Sequence, residues 1–425
     1  MRFTLVTSGS WGDTAPFLAL GLRLQAAGHK VLVTGSECFS QTASNLGIEY
    51  RPLPDEEQSS QARAAHFSRA EEGGGIRSGL RRLESKRKIF DLVNREVYLS
   101  CQDADAIVYR IGGYLIADSI AEKLSVPCFK VGLVPYTRTR EFPTLYVYPS
   151  DSSGRLRNLF SHVLGEQVIW QSLRVPTNSF RKKLLALEPY PVLGAGHRHW
   201  TQKLPVLYAF SPSLLRRPDD WPENVHITGH WETPTINSWN PSPELERFIE
   251  SGLPPVYIGF GSMAVRDVNR IYGLILRALE ICDQRAVICG DLCHAEERPA
   301  ERGRVLRDEY IPHDWLFPLM SCIVHHGGIG TTTVQMKAGV PAVIVPFNFD
   351  QPFWGAILSR SGMAPDPIPF SQLTAERLAQ AIHTCLDSEE MRQMAAGIAN
   401  QVRKERGIER SIEIMHTYME EFLKK

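Results

Sequence analysis

Residues 322–354, CIVHHGGIGTTTVQMKAGVPAVIVPFNFDQPFW, hold the densest set of chemistry-bearing side chains in the chain. An apolar run ends in His325-His326. Gly327, Gly328 and Gly330 follow, and Thr331-Thr332 open a helical pattern. Glycines let backbone approach a ligand closely, and the free N–H groups of a helix start favour negative charge. With an imidazole and two hydroxyls added, the turn could hold a pyrophosphate. A glycine turn beside a core histidine would explain the glycines, but not the clustering of histidine and threonine. One strand further on, Asp350 and Gln351 set a carboxylate beside an amide, a pair suited to sugar hydroxyls.

A second turn, Gly9-Ser10-Trp11-Gly12-Asp13-Thr14, lies between a strand and a helix. Asp13 there has two readings. It is a helix cap, its oxygen taking a free backbone N–H, or it is a general base presented to a crevice. The segment is G-x-x-G rather than the G-x-G-x-x-G of a dinucleotide site, although Glu37 ends the next strand. The Gly-Lys-Ser/Thr of a P-loop is missing. Eight cysteines are too scattered for a disulfide scaffold, and Cys289, Cys293 and His294 lack a second ligand pair at zinc spacing.

The elements that position these turns read as strand–helix repeats. Residues 2–7 (RFTLVT) form a strand, helical period begins at Pro16 and closes at Gly28, and His29–Thr34 returns to strand. Strands recur at 106–109 and 128–133. The Pro-, Trp- and Asp-rich stretch 216–243 reads as a linker. A second series follows, with strands at 255–260, 285–289, 321–325 and 342–346, helices at 267–282 and 331–338, and a tail helical from Leu378 to Leu423. The expected architecture is α/β, with two Rossmann-like doubly wound domains facing across a cleft. Residues 1–215 would form one domain and 244–405 the other, with a C-terminal helix at 406–425 that could cross back.

The 425 residues carry 47 Lys plus Arg and 47 Asp plus Glu, so the chain has no net pull toward nucleic acid. At 43% hydrophobic and 22% charged it has a globular composition. No uncharged apolar run approaches the ~18 residues of a spanning helix. The start shows no signal-peptide pattern, and the expectation is a cytoplasmic protein. Arg77–Lys88 (RSGLRRLESKRK) is a basic amphipathic stretch, a solvated face or a weak membrane-surface contact.

Several segments resemble the nucleotide-sugar-dependent glycosyltransferases of family 1, which have the GT-B fold. The likeness is to the sterol 3β-glucosyltransferases and the bacterial natural-product glycosyltransferases in particular. It runs through TSGSWGDTAPFLALGLRLQAAGH, PYTRTREFP, LYAFSPSLLRRPDDWPENVHITGHW, PPVYIGFGSM, YIPHDWLFP and the HHGGIGTT…DQ block. The resemblance implies inverting transfer of a hexose, glucose from UDP-glucose, to a hydroxyl of a hydrophobic acceptor such as a sterol, polyketide or polyphenol. Asp13 would be the base. His326, Gly328, Gly330, Thr331 and Thr332 would hold the pyrophosphate, Asp350 and Gln351 the sugar, and Ile311 and His313 the uracil. Gly12 and Ser262 would complete the donor side. No metal and no cofactor would be needed, the UDP-sugar being a co-substrate.

Acceptor-binding residues would come from about 55–200, with Tyr136 and Phe142 among them. Two departures stand out. Trp11 replaces an arginine of the sterol branch, either as an acceptor wall or as packing under the first helix. Val334 replaces a ribose-binding glutamate, which leaves the choice between UDP and dTDP open. The alternatives are a UDP-sugar epimerase on the same fold and a non-catalytic nucleotide-sugar-binding protein.

Overall fold

The computed structural model describes residues 1–54, 90–111, 116–145, 154–194, 204–232, 239–261, 263, 265, 267–301 and 303–424. Two all-parallel sheets organise it. The first has the order β3-β2-β1-β4-β5-β6-β7, with β1 Arg2–Val6, β2 Lys30–Ser36, β3 Glu49–Leu53, β4 Ala106–Arg110, β5 Cys128–Gly132, β6 Val206–Tyr208 and β7 Val225–Ile227. The second has the order β10-β9-β8-β11-β12, with β8 Val256–Gly259, β9 Ala286–Cys289, β10 Val305–Asp308, β11 Cys322–His325 and β12 Ala342–Ile344. Both sheets are covered on each face, which is why Phe3, Leu5, Val108, Ile258, Ile323 and Val324 are fully buried. Each contains the same 3-2-1-4-5 permutation, so the order reverses between β1 and β4 in one and between β8 and β11 in the other. Ligands of open α/β sheets bind beyond the strand ends at such points.

Nine helices matter here: α1 Trp11–Ala26, α2 Ala117–Leu124, α3 Arg155–Phe180, α4 Val268–Ile281, α5 Ile329–Ala338, α6 Gln351–Arg360, α7 Ala375–Asp387, α8 Glu389–Val402 and α9 Gly407–Leu423. Three features differ from the sequence reading. Helix α1 begins at Trp11, five residues before Pro16, because Ser10 caps it and Asp13 closes the cap. Pro16 removes the N–H that would meet the Gly12 carbonyl, and exposed Gly12 leaves that carbonyl open to water. The continuous tail helix is instead α7, α8 and α9, with Ser388 capping α8 through its hydroxyl. The stretch read as linker contains β7, whose pairing with β6 in the first sheet runs to Ile227.

The two halves share side-chain cores. Phe142, Tyr208, Phe210 and Trp221 of the first pack with Ile344, Phe353 and Trp354 of the second. The ring centroids of Phe142 and Phe353, and of Phe210 and Trp354, are 5.3 Å apart. Helix α9 packs its Ile408, Met415 and Met419 into the core around Phe3, Phe17 and Trp231 of the first half. The Trp231 indole N–H donates to the Ser411 hydroxyl at 3.0 Å.

Candidate active site

The turn after β1 leads into α1 and carries Asp13. One carboxylate oxygen, Oδ2, accepts from the Ser10 backbone N–H at 3.0 Å and from the Ser10 hydroxyl at 3.1 Å. The other, Oδ1, lies 3.2 Å from Nη1 of Arg110, the last residue of β4. Asp13 therefore caps its helix, and its second oxygen pairs with the residue that ends β4, beside the reversal point between β1 and β4. The side chain is 26% exposed, so a solute hydroxyl can reach it. Gly9, at φ +108°, must stay glycine here, because a Cβ would strike Oδ2 of Asp13.

Arg110 was not anticipated from the sequence. It directly follows the AIVY run that reads as a strand, and a charge at a strand's C-terminal end is the signal that marks it. Only the strand order shows that β4 adjoins β1 and so brings the guanidinium to Asp13. Its Nε is buried and has no hydrogen-bond partner among the described residues.

Asp350 heads α6 from the second half and lies within electrostatic reach of Asp13 and Arg110. Its Oδ2 accepts from the Trp354 indole N–H at 3.0 Å. Desolvation raises its carboxyl to about 6; the Asp13 charge adds to the rise and the Arg110 charge opposes it. Asp13 and Arg110 thus pair between β1–α1 and β4, and Asp350 at the head of α6 feels both charges.

The glycine turn after β11 sits at the second reversal point. His326 is half-buried. Its ring lies between Gly261 and Gly328, where added Cβ atoms would press on it. Its Nδ1 is buried without a partner among the described residues, and desolvation lowers the imidazole to about 4. His325 is fully buried in the strand, and its Nδ1 accepts from the Gly327 N–H at 3.1 Å. The structure therefore separates the two: His326 is at the turn and His325 braces it. Gly328 caps α5, whose first N–H groups have no partners within the helix. Thr331 is half-buried. Buried Thr332 has an unpartnered hydroxyl among the described residues, and a Cβ at Gly330 would meet open space.

Other expected residues lie elsewhere. Gln351 is 4% exposed, and its amide braces the loop: Oε1 accepts from the N–H groups of Phe347 at 2.8 Å and Asn348 at 3.3 Å. Ile311 is turned into the core with Leu306 and Phe317, which leaves its backbone rather than its side chain for a base. His313 shares a 2.9 Å hydrogen bond with the Tyr257 hydroxyl and stacks on Phe317 at 4.4 Å. Gly12 is exposed on the first turn of α1, and Ser262 lies outside the described residues.

On the acceptor side, Trp11 is half-buried against Phe39, 5.6 Å between ring centroids, in the position of a packing residue. Phe142 is 8% exposed in the shared core, so it supports the domain contact instead of lining a pocket. The Tyr136 backbone N–H donates to the Tyr208 hydroxyl at 2.9 Å. The basic stretch 77–88 is outside the described residues.

Residues 3–143 match the glycosyltransferase family 28 N-terminal domain, and residues 275–407 match the C-terminal domain of erythromycin biosynthesis protein CIII-like proteins. The chain is 32% identical to the sterol 3-beta-glucosyltransferase UGT80B1 of Arabidopsis thaliana, over 99% of this chain and 68% of that protein. It is 31% identical to the O-mycaminosyltylonolide 6-deoxyallosyltransferase of Streptomyces fradiae, over 99% of this chain and 98% of that one. A sterol 3-beta-glucosyltransferase of Aspergillus oryzae is 30% identical, and the chain spans 30% of its length. The solved glycosyltransferase VinC, in complex with dTDP, superposes with a TM-score of 0.65 at 16% identity, covering 99% of this chain and all of that one.

Proposed function

The chain belongs to the GT-B glycosyltransferases that include the sterol and macrolide enzymes, and from that premise we propose that it transfers a hexose from UDP-glucose to a hydroxyl of a hydrophobic acceptor, with inversion and without a metal. The observation that carries this reading is the Asp13–Arg110 pair at the reversal point of the first sheet, with Asp350 within electrostatic reach of it and the His326 turn at the reversal point of the second.

Asp13 takes the proton from the acceptor hydroxyl as its oxygen attacks the anomeric carbon. A positioned general base contributes about 10²–10⁴-fold in rate. The bond from that carbon to the diphosphate breaks, and the electron pair leaves with UDP. The free N–H groups of α5, the Thr331 and Thr332 hydroxyls and a neutral His326 donate to the growing charge. Asp350 accepts from sugar hydroxyls and sets the distance between the anomeric carbon and Asp13.

The macrolide relative, named as a deoxyallosyltransferase, and the dTDP complex of VinC favour a second reading in which the donor is a dTDP-deoxysugar. The deciding experiment incubates the protein with UDP-glucose or dTDP-glucose, with and without EDTA, and a panel of sterols, flavonoids and macrolides. Mass spectrometry reads the gain of one hexose. Product with dTDP-glucose alone would replace the UDP assignment, and loss of product in EDTA would overturn metal independence. Absence of product with every acceptor and both donors would remove the hexosyl reading.

A further inference from the structure

The loop between β12 and α6 contains a backbone conformation that its residue type opposes. Phe349 has φ +54°. There the Cβ of an L-residue crowds the following carbonyl oxygen, and for a bulky side chain the conformation is an outlier. The other non-glycine residues with positive φ, among the described residues, are Ser125, Ala186 and Asp283. Each follows the C-terminal end of a helix, where a left-handed residue is an ordinary cap. Phe349 instead stands ahead of a helix start, two residues before Gln351 opens α6.

The chain is anchored on both sides of this residue. The Phe347 ring stacks on Phe370 at 4.0 Å and meets Phe260 at 5.3 Å. The Asp350 carbonyl accepts from the Trp354 N–H at 3.0 Å. Gln351 spans the loop, its Oε1 accepting from the N–H groups of Phe347 and Asn348. A Cβ at Gly327 would come within 3.2 Å of the Gln351 carbonyl, so the head of α6 packs on the His326 turn. Strain fixed in this way by its surroundings gathers at ligand-contact sites. The residue that bears it here is an aromatic, 68% exposed.

The loop lies beyond the C-terminal end of β12, the edge at which open α/β sheets take their ligands. Across a trans peptide the Phe349 Cα is about 3.8 Å from that of Asp350. Asp350 in turn feels the charges of Asp13 and Arg110. The aromatic side chains expected on the acceptor side turn inward: Trp11 packs on Phe39, and Phe142 belongs to the shared core. We infer that Phe349 is a specificity-determining residue for the acceptor, its ring covering the apolar body of a flat or fused-ring alcohol; this rests on the transferase reading. An acceptor hydroxyl that attacks between Asp13 and Asp350 brings its own carbon skeleton beside the residue next to Asp350. A phenyl face gains by covering carbon, while the neighbouring carboxylate takes hydroxyls.

The test compares the wild type with Phe349→Ala, Phe349→Gly and Phe349→Tyr. Quercetin and the fluorescent sterol dehydroergosterol are titrated without donor, and UDP is titrated separately. Phe349→Ala and Phe349→Gly are expected to raise the Kd of whichever probe the wild type binds by about tenfold. UDP affinity should be unchanged, and Phe349→Tyr should stay near wild type. In transfer assays the same two variants raise the acceptor KM and leave the donor KM alone. Phe349→Gly is expected to melt above Phe349→Ala, because glycine takes φ +54° without a Cβ penalty, and cooperative melting of both shows that they fold.

Wild-type probe affinity in both variants overturns the inference. So does a defect confined to the donor KM, which would put the ring on the sugar, and so does a wild type that binds neither probe. Probe binding that is lost with the ring, in a protein that forms no product, upholds Phe349 as a binding residue and removes the transferase reading. Product formed with one acceptor KM in all four proteins does the reverse.

Discussion

At the scale of single residues, the proposed site depends on how the charges of Asp13, Arg110 and Asp350 act on one another. Asp13→Ala removes the proposed base and is expected to cost about 10²–10⁴-fold in kcat with little change in UDP affinity. Turnover near wild type, measured where chemistry limits the rate, would return Asp13 to a cap alone. Arg110→Ala removes the cation whose charge acts on both Asp13 and Asp350. Transfer is expected to fall, and the Asp350 carboxyl, already raised to about 6 chiefly by desolvation, rises further. Donor binding that needs ionised Asp350 should then weaken at a higher pH than in wild type, and Arg110→Lys should recover much of the loss. An unshifted pH profile in Arg110→Ala would show that the ion pair is only structural. His326→Ala is expected to lose about 10²–10³-fold in kcat, as for loss of one donor to developing charge. An equal or larger transfer defect in His325→Ala, with that variant still fully folded, would point to the other histidine.

At the scale of elements, the crossing helix α9 ties the chain's end to its beginning. It follows a tight passage in which a Cβ at Gly407 would collide with the carbonyls of Gly229 and His230. The Glu405 carboxylate accepts from the His230 N–H just before this passage. Gly407→Val is expected to cost about 1–3 kcal/mol through overpacking and to loosen α9. A lower melting temperature with faster proteolytic cleavage between α8 and α9 would report it. Wild-type values for both would mean that the passage relaxes without strain.

At the scale of the whole molecule, the histidines set the response to pH. Desolvation lowers His230, His313 and His326 to about 4, and it also lowers His29, His162, His226 and His325. As pH falls below the unfolded value of 6.5, the unfolded chain takes up protons that the folded chain refuses, so the folded state loses stability. From about pH 6.5 to about pH 5, each of the three most shifted groups contributes a loss of up to about 2 kcal/mol. The raised carboxyls of Asp350 and Glu405 act in the opposite sense but are fewer. Melting temperature is therefore expected to drop steeply between pH about 6.5 and about 5. A flat profile there would mean that these imidazoles titrate in the folded protein as they do in water.

The strand–helix alternation and the two glycine turns at strand ends, with Asp13, His326 and Asp350 placed at strand-to-helix turns, were legible in the sequence, because period and local turn chemistry are properties of neighbouring residues. Helix starts were less so. Pro16 is a strong local start signal, yet the Ser10–Asp13 cap overrode it. What only the tertiary structure decided is which distant residues meet. The order 3-2-1-4-5 places β4 beside β1, and Arg110 reaches Asp13 across 97 positions of chain for that reason alone. The same limit hid the inward turn of Gln351 and Ile311 and the burial of Phe142. A side chain's type is written in the sequence, but the direction it faces follows from what packs against it, and those partners come from other elements.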